Sequence, residues 1–538
     1  MNKIVRCSKK SVVLLNGFIF CSSFIAFGQV DEKTNVLFIM TDQQRWDALG
    51  CAGNLEIKTP NIDRLAKGGV QFMNAYSSCP VCVPARSSIL TGRTIFNTKV
   101  LGNNDVDSDS IPDIPTFDQI LSENGYHTEY YGKWHAPYQF TSKYNNVVKT
   151  TGKSKMANVP STVDGFRKYL DDLGIPARKP NANELIDNMS LRPYVPLPID
   201  GRYGIKEENI ANYTNGKKPE RQKVSQAENF GIFHGPADGS LAAYEGSEAL
   251  EALKKMKPEK SFSLTCSFGP PHPPYVVPEK YADLYQPGLL SVPASINDNL
   301  QNAPYQRNNT SFDSRFQNPE MVQQMKQVYY GMVTQVDDWV GKLLDELDRK
   351  GLTENTLVVF VSDHGEMMGD HGLNSKMKMY EGSVHIPLIM RLPGTIPAGK
   401  KVNTPVSHHD LFASILDYTG MKIPENDGRS LRNLVDGKAD PVDYAVSVWG
   451  QINNGGPFML RKGDWKMIVY LQMSDKKQKT VSALYNLKSD PLEMNNLIGT
   501  NPEKSNYEKV VSDLKSTLKD WMIKTKTPYI KELEVTEL

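Results

Sequence analysis

The chain has no excess of charge of either sign. Its 538 residues include 62 Lys and Arg and 61 Asp and Glu, which gives a net charge of +1. Proteins that are held to nucleic acid or to anionic membranes by their overall charge carry a clear basic surplus. We therefore expect no nucleic-acid partner, although local clusters of basic residues remain compatible with this balance.

Cysteine is also scarce, with only six residues in the chain. Two of them lie in the first 28 residues, and the other four are Cys51, Cys79, Cys82 and Cys266. Four cysteines in a chain of this length do not form a dense disulfide framework. A bridge between Cys51 and Cys79 stays open, because connectivity cannot be deduced from sequence. Cys79 and Cys82 lack a second cysteine or histidine pair at zinc-site spacing.

Long apolar runs are confined to the N-terminus. Four basic residues precede an apolar run at 12–27, and Ala26 and Gly28 supply small residues at the positions that a signal peptidase reads. This pattern is typical of a signal peptide, so we predict residues 1–28 as a signal that is cleaved before Gln29. We expect export to the periplasm or the medium; a lipid anchor at Cys21 remains an alternative. No later segment has the roughly 18 apolar residues that a membrane-spanning helix needs.

The order of apolar patterns predicts an α/β fold. Continuous apolar runs at 35–40 and 355–361 are typical of buried strands. Apolar residues recur every three or four positions between 322 and 347, which predicts a long helix. We predict further strands at 71–76 and 261–268 and a helix at 246–257. Strands that alternate with helices indicate a large, mainly parallel sheet sandwiched by helices.

The pattern changes near residue 440. Short β-like segments precede a helix at about 507–523, which predicts a smaller C-terminal α+β domain with a short antiparallel sheet. We therefore divide the mature chain into a catalytic domain, 29–435, and a C-terminal subdomain, 436–538. Residues 137–245 are rich in Pro, Gly and Asn without a clear period, and we interpret them as inserted loops that shape a substrate pocket.

The segment 79–93 contains the clearest chemical signal. Pro84 suits the first turn of a helix, which places Cys82 at a helix N-terminus. Such a position stabilises negative charge and binds tetrahedral anions. Arg86 lies one turn further on and can reach the same anion with its planar fork. A redox pair of Cys79 and Cys82 is one alternative. A thiol phosphatase is another, but its loop needs Arg six residues after the cysteine, where Ser88 stands.

The motif Cys-x-Pro-Ala-Arg, followed after four residues by Thr-Gly, resembles the signature of type I sulfatases of the alkaline phosphatase superfamily. The resemblance runs from about residue 35 to 497 and includes choline-sulfatase-like and carbohydrate sulfatase members. It implies an alkaline-phosphatase-like fold. It also implies that a maturation enzyme oxidises Cys82 to formylglycine (3-oxoalanine), whose hydrated form attacks sulfur.

The same resemblance implies a metal site. Asp42 and Gln43 follow the strand at 35–40 and resemble the family's first metal motif, in which many members have a second Asp. Asp363 and His364 follow the strand at 355–361 and resemble the second. With residue 82 they make a ligand set dominated by oxygen, for which we expect Ca²⁺.

Three further segments resemble substrate-binding motifs of the family. Lys133 and Lys376 would hold the sulfate group together with Arg86. His272 is our candidate for the acid that protonates the leaving oxygen, since a histidine pKa lies near neutrality. His135 would contact the modified residue 82 and help to release sulfate.

The expected reaction is hydrolysis of sulfate monoesters, with sulfated saccharides as the expected substrate class. A phosphonate monoester or phosphodiester hydrolase on the same scaffold is an alternative, favoured by the variant Gln43. A third hypothesis is an inactive binding protein in which Cys82 is never oxidised. The sugar, the sulfated position and the oligomeric state are not readable from the sequence. Asn103, Asn104, Asp105 and Arg461 are candidate substrate contacts.

Overall fold

The structure is a computed structural model, and it describes most of the chain from residue 33 onwards. The described residues are 33–107, 110–137, 139–140, 148–150, 162–174, 199–203, 230–233, 236–273, 275–305, 314–450, 455–471 and 481–537. The predicted signal peptide and most of the predicted insertion at 137–245 lie outside these ranges. From Lys33 onwards the chain forms one compact unit.

The strands of the described residues are short, and the helices vary widely in length. The strands are β1 (Asn35–Thr41), β2 (Val70–Phe72), β3 (Ala75–Tyr76), β4 (His127–Gly132), β5 (Val148–Thr150), β6 (Ile199–Tyr203), β7 (Phe230–Phe233), β8 (Phe262–Ser267), β9 (Tyr275–Pro278), β10 (Thr356–Ser362), β11 (His385–Ile386), β12 (Leu388–Arg391), β13 (Lys400–Val402), β14 (Val406–Ser407), β15 (Tyr444–Val448), β16 (Gly456–Lys462), β17 (Trp465–Leu471) and β18 (Ala483–Asn486). The helices are α1 (Pro60–Lys67), α2 (Cys82–Thr91), α3 (Ile95–Thr98), α4 (Phe117–Glu123), α5 (Thr162–Asp172), α6 (Leu241–Lys255), α7 (Glu279–Ala282), α8 (Pro319–Arg349), α9 (Glu381–Val384), α10 (His409–Tyr418), α11 (Arg432–Val435), α12 (Glu508–Lys524) and α13 (Ile530–Val535).

One eight-stranded sheet organises the fold, with the strand order β13-β2-β12-β10-β1-β8-β4-β5. Its central strands β10, β1, β8 and β4 are all parallel, as are the pairs β4–β5 and β13–β2. Within the described part of this sheet, β12 is the one strand that runs antiparallel to both of its neighbours, β10 and β2. The prediction of a large, mainly parallel sheet is therefore confirmed. The continuous apolar runs at 35–40 and 355–361 became its central pair, β1 and β10.

Both faces of this sheet are covered. Along β1, Val36 and Phe38 belong to a core cluster that includes Ile89 of α2 and residues of α10. Leu37 and Ile39 belong to a second cluster that includes residues of α1, α6 and α8. Because successive side chains of a strand point to opposite faces, a strand buried on both faces must be apolar at every position. This explains the continuous run and confirms the helical layers on either side.

Two predicted elements differ from the structure. The segment 71–76 was expected to be one strand, but a turn divides it into β2 and β3, which belong to different sheets. The helix expected at 246–257 begins earlier, at Leu241. The Ser240 side chain accepts a hydrogen bond from Ala243 N at 3.2 Å and caps this helix. Serine is a preferred N-cap residue, so the true start was encoded in the sequence.

The C-terminal region has a four-stranded sheet, β15-β16-β17-β18, in which every pairing is antiparallel. Helix α12 packs its Leu514, Leu518 and Trp521 into the same apolar cluster as residues of this sheet. The predicted α+β organisation of the C-terminal region is confirmed. The boundary at 436 stays a prediction. No helix in the described ranges is both long and apolar enough to span a bilayer.

Candidate active site

The carboxyl ends of the central strands bring the candidate residues together. Thr41 at the end of β1 pairs with Ser362 at the end of β10, so Asp42 and Asp363 leave the sheet side by side. Gly132 at the end of β4 pairs in the same way with Ser267 of β8, and Lys133 follows. Ligands of open α/β sheets bind at this edge.

Gly132 shows why β4 can turn towards the site. Its φ is 93°, in the left-handed region that favours glycine, and a Cβ here would lie 2.0 Å from the Ser267 carbonyl oxygen. The close approach lets Lys133 N donate to the same carbonyl oxygen at 2.7 Å. The Gly-Lys pair thus directs the lysine to the sheet edge.

Cys82 is the first residue of α2, as predicted, and is fully buried. Its Sγ lies 3.2 Å from His364 Nε2, 3.3 Å from Lys376 Nζ and 3.9 Å from Asp42 Oδ1. The residue before it, Val81, is extended and offers no capping side chain. The candidate nucleophile therefore sits at a helix start within hydrogen-bonding distance of acidic and basic groups.

Arg86 connects the two strand ends beneath Cys82. Its Nη2 donates to Asp42 Oδ2 at 3.0 Å, and its Nε donates to Asp363 Oδ2 at 2.8 Å. Its Nη1 donates to Lys133 O at 2.8 Å and to Ser267 Oγ at 2.9 Å. The guanidinium is fully buried, so its role is to hold the two carboxylates in place. The predicted contact of Arg86 with a bound anion stays a prediction.

The remaining oxygens of these carboxylates face a common point. One ligand atom each from Asp42, Cys82, Asp363 and His364 lies within 4.8 Å of all the others, and all four residues are buried. Burial and the charge of Asp42 raise the pKa of Asp363 to about 6. Two buried carboxylates this close repel each other, and a divalent cation between them would remove that cost. The donor set therefore fits a metal ion.

Gln43 lies beside this group with its amide already engaged. Its Oε1 accepts from Lys376 Nζ at 2.8 Å, and its Nε2 donates to Glu366 and, at 3.4 Å, to Tyr275 Oη. A carbonyl oxygen has two lone pairs, so Gln43 can hold the lysine and still bind a cation. Its assignment as a metal ligand stays a prediction.

Two lysines place positive charge on either side of the cluster. Lys133 Nζ lies 2.5 Å from Asp42 Oδ2, and Lys376 Nζ contacts Cys82 as described. Burial and Asp42 raise the pKa of the Cys82 thiol, but Lys376, Lys133 and His364 more than offset them, so the pKa falls well below its usual range. The site therefore favours an anion at residue 82.

The two predicted histidines also lie at the site. Burial and the charges of Lys376 and Lys133 lower the pKa of His272 to about 3, so it is neutral near pH 7. Its Nδ1 lies 2.5 Å from Pro273 O, and the imidazole also hydrogen-bonds to the Cys82 side chain. Burial and Lys133 also lower the pKa of His135, whose φ of 41° is in the left-handed region.

Several residues with a structural part in the site were not assigned one from the sequence. Glu366 accepts from Gln43, Tyr275, Met368 N and Ser375 N, and so joins three segments. Its position directly after the Asp-His-Gly motif was the available signal. His408 links Ser78 N, at 3.3 Å, to Ser362 O, at 2.9 Å. No local pattern reveals such a link.

The possible disulfide between Cys51 and Cys79 is not formed in the structure. Cys51, Cys79, Cys82 and Cys266 are all free thiols. Cys51 N donates to Asp63 Oδ1 at 2.7 Å, and burial raises the Cys51 thiol pKa to about 12. Stability therefore comes from the apolar clusters and buried polar networks.

The site lies at the edge of a helix-covered sheet and combines a buried nucleophile position with paired carboxylates and flanking lysines. Positive charge around a nucleophile suits attack on an anionic ester, so the site is typical of a hydrolase of such esters. The comparisons with known proteins give the family. The sulfatase family model matches residues 34–421, more than half of the chain. A model of the C-terminal region of N-sulphoglucosamine sulphohydrolase matches 369–524.

Individual relatives agree with this match. The arylsulfatase of Clostridium perfringens is 28% identical over 490 residues, which cover 88% of this chain and 92% of that protein. The N-acetylglucosamine-6-O-sulfatase of Bacteroides thetaiotaomicron is 25% identical over 506 residues, covering 91% and 86%. The crystal structure of phosphonate monoester hydrolase from Agrobacterium radiobacter superposes with a TM-score of 0.67 at 22% identity, covering 92% and 96%. The chain belongs to the sulfatase family of the alkaline phosphatase superfamily, and it is a sulfuric ester hydrolase.

Proposed function

We propose that this sulfatase removes sulfate from sulfated saccharides, with residue 82 oxidised to formylglycine and a calcium ion held by Asp42, Gln43, Asp363 and His364. One observation carries the proposal: Asp42, Cys82, Asp363 and His364 bring their ligand atoms within 4.8 Å of one another in a buried group. The N-acetylglucosamine-6-O-sulfatase relative supports a saccharide as the substrate class.

Formylglycine supplies an oxygen nucleophile, and calcium supplies positive charge for the sulfate oxygens. The thiol of Cys82 stands in for the modified side chain on the same Cβ. Arg86 keeps Asp42 and Asp363 fixed, so the site needs little rearrangement when substrate binds. Lys133 and Lys376 bind the sulfate oxygens, and such a positive partner contributes about 2–4 kcal/mol of transition-state stabilisation.

His272 holds the proton for the leaving oxygen. The free site keeps it neutral through burial and through the charges of Lys376 and Lys133. A bound sulfate ester offsets those lysine charges, which raises the His272 pKa and favours a proton on Nε2. The contact between Nδ1 and Pro273 O fixes the orientation of the ring. His135 hydrogen-bonds to the side chain of residue 82. It would accept the proton of the free hydroxyl of the modified residue as the bond from that residue's carbon to the sulfate oxygen breaks and the aldehyde re-forms.

The direct test uses the chain co-expressed with a formylglycine-generating enzyme, with conversion of residue 82 verified by mass spectrometry. Sulfate release is measured from 4-nitrophenyl sulfate and from monosulfated mono- and disaccharides. We expect turnover by the converted protein and none by Cys82→Ala. If fully converted protein releases sulfate from none of these compounds, the proposal is wrong.

The metal is tested separately, with thermal stability as a readout that does not need activity. Removal of divalent ions should lower Tm, because Asp42 and Asp363 then repel each other. Calcium should restore Tm better than magnesium or zinc, since the ligand set is mainly oxygen. Asp363→Asn should lose the calcium response. An equal response to zinc would contradict calcium as the resident ion.

A phosphonate monoester or phosphodiester hydrolase is the second candidate. Gln43 in place of a carboxylate and the fold shared with a phosphonate monoester hydrolase favour it. The ratio of kcat/KM for 4-nitrophenyl sulfate to that for a 4-nitrophenyl phosphonate separates the two. A ratio below one would favour the alternative.

Export is part of the proposal. Its support is the basic start, the apolar run at 12–27 and the small residues near Gly28. N-terminal sequencing of the protein recovered from the periplasm or medium should begin at Gln29. Intact N-termini in the cytoplasm would contradict it.

A further inference from the structure

A cavity of about 930 Å³ lies between the segment 101–105 and the C-terminal sheet. One wall carries Trp449, just after β15, and Tyr470 of β17. The lining also includes Asn103, Asn104 and Asp105. Its volume falls in the range of pockets that take small organic ligands.

This cavity borders the reaction centre. Val81 and Met377 line it, and they are the chain neighbours of Cys82 and Lys376. Asn103 Oδ1 accepts from Val83 N at 3.1 Å, so the cavity wall also caps the helix that begins with Cys82. The segments that carry Cys82 and Lys376 therefore continue into the wall of this cavity.

The lining combines two kinds of contact. Trp449 and Tyr470 are partly exposed, and Asn103 and Asn104 are exposed. A sugar ring has C–H faces that pack on aromatic rings and hydroxyls that bond to amides. A purely apolar ligand would bury the amides without hydrogen-bond partners, which is unfavourable.

The charge of the lining residues further limits which classes of sugar the cavity can accept. Asp105 is the one charged side chain among the lining residues that the structure describes. Its Oδ2 accepts from Leu101 N at 2.7 Å and from Gly102 N at 2.9 Å, which fixes the carboxylate beside the cavity. A second sulfate or a carboxylate on the ring would meet this negative charge, and none of the lining residues that the structure describes is a cation.

We propose that the cavity is the subsite for the sugar that carries the scissile sulfate, and that it accepts a hexose or hexosamine with no second anionic group. The inference rests on the proposed sulfatase function and adds the identity of the ring. Trp449 packs on the ring, Asn104 bonds to a hydroxyl, and Asp105 rejects uronic acids and disulfated sugars.

The catalytic test compares converted wild-type protein with Trp449→Ala and Asn104→Ala. The substrates are galactose 6-sulfate, glucose 6-sulfate, N-acetylglucosamine 6-sulfate and 4-nitrophenyl sulfate. Trp449→Ala should lower kcat/KM by about tenfold for whichever sugar sulfate the wild-type protein hydrolyses, because the variant loses one aromatic contact with the ring. Asn104→Ala should lower kcat/KM more for the sugar sulfate than for 4-nitrophenyl sulfate, because only the sugar has hydroxyl groups that can bond to the amide. Trp465→Ala is the matched control, because Trp465 packs on Tyr507, away from the cavity.

The charge of the subsite has its own test. Wild-type protein should prefer glucosamine 6-sulfate to glucosamine 2-N,6-O-disulfate, and Asp105→Asn should reduce that preference. The neutral amide keeps an oxygen that can accept from Leu101 N and Gly102 N. A preference for the disulfated sugar, or one unchanged in Asp105→Asn, would overturn the charge argument.

A binding test separates this inference from the catalytic proposal. The Cys82→Ser protein is expected not to turn over its substrates. Binding of the same sugar sulfates should nevertheless change its tryptophan fluorescence. Trp449→Phe should abolish the change, whereas Trp465→Phe should retain it. If the change survives in Trp449→Phe, or if no sugar binds, the subsite is wrong even when aryl sulfate is hydrolysed. If sugars bind through Trp449 but converted protein releases no sulfate, the subsite stands and the catalytic proposal fails.

Discussion

At the scale of single residues, Arg86 shows how a motif residue acquires its role. The sequence placed it one turn after Cys82 and suggested a contact with the substrate anion. In the structure its donors go to Asp42, Asp363, Ser267 and the Lys133 carbonyl, and the contact with the substrate anion stays a prediction. A planar group with five N–H donors can hold two carboxylates and two other oxygens at once.

Replacement of Arg86 by Lys should therefore abolish most of the activity. Lysine keeps the charge but has one donor centre, so at least one of the carboxylates loses its partner in a buried site. We expect kcat to fall by about two orders of magnitude or more, the loss of a positioned electrostatic partner. Arg93→Lys is the control, since Arg93 makes only long ion pairs of 3.6 Å with Glu425 and Asp427. Comparable losses in both variants would contradict this role.

At the scale of elements, His408 joins two segments that carry site residues. It lies just before α10, accepts from Ser78 N and donates to Ser362 O. Ser78 precedes the start of α2, and Ser362 ends β10. His408 is buried, which supports a structural role.

The neutral state of His408 gives a prediction about acid stability. Burial lowers its pKa to about 3, well below the ordinary value. Between roughly pH 6 and 3 the unfolded chain binds a proton here and the folded protein does not, so this residue lowers the free energy of unfolding by about 1.4 kcal/mol per pH unit as pH falls. At pH 7 the free energy of unfolding of His408→Asn should be lower than that of wild type, because Ser78 N or Ser362 O loses its hydrogen-bond partner. Its stability should then fall less steeply with acid than that of wild type or of a His127→Asn control, as measured by urea unfolding from pH 7 to 4.

At the scale of the whole molecule, a buried ionic group ties the C-terminal sheet to the site region. Lys466 of β17 is fully buried, and its Nζ lies 2.8 Å from Glu381 of α9 and 2.7 Å from Glu493. Glu381 also pairs with His385 at 2.9 Å. The charges compensate one another across elements that are distant in the chain.

Lys466→Met should destabilise the protein by about 3–5 kcal/mol, because it leaves Glu493 buried without its cation and leaves Glu381 with His385 as its basic partner. Chemical denaturation measures this loss. Lys462→Met is the matched control, since Lys462 is partly exposed and pairs with Asp443 at 3.4 Å. A second replacement, Glu493→Gln, should recover part of the stability of Lys466→Met. A cost no larger than that of the control would contradict the argument.

The sequence by itself determined the order of elements and the chemistry at the strand ends. Continuous apolar runs such as 35–40 are buried on both faces wherever they pack, and Cys82 with Pro84 starts a helix by local preference alone. These features depend on neighbours in the chain, so they could be predicted.

Only the tertiary structure decided what depends on contacts between distant segments. The division of 71–76 between two sheets, the link through His408 and the cavity between Trp449 and Asn104 all follow from packing. Such contacts are set by three-dimensional proximity, which leaves no periodic or spaced signal in one sequence. The residue types of the site could thus be predicted from the sequence. Packing decides which of these residues hold the others in place and which face the substrate.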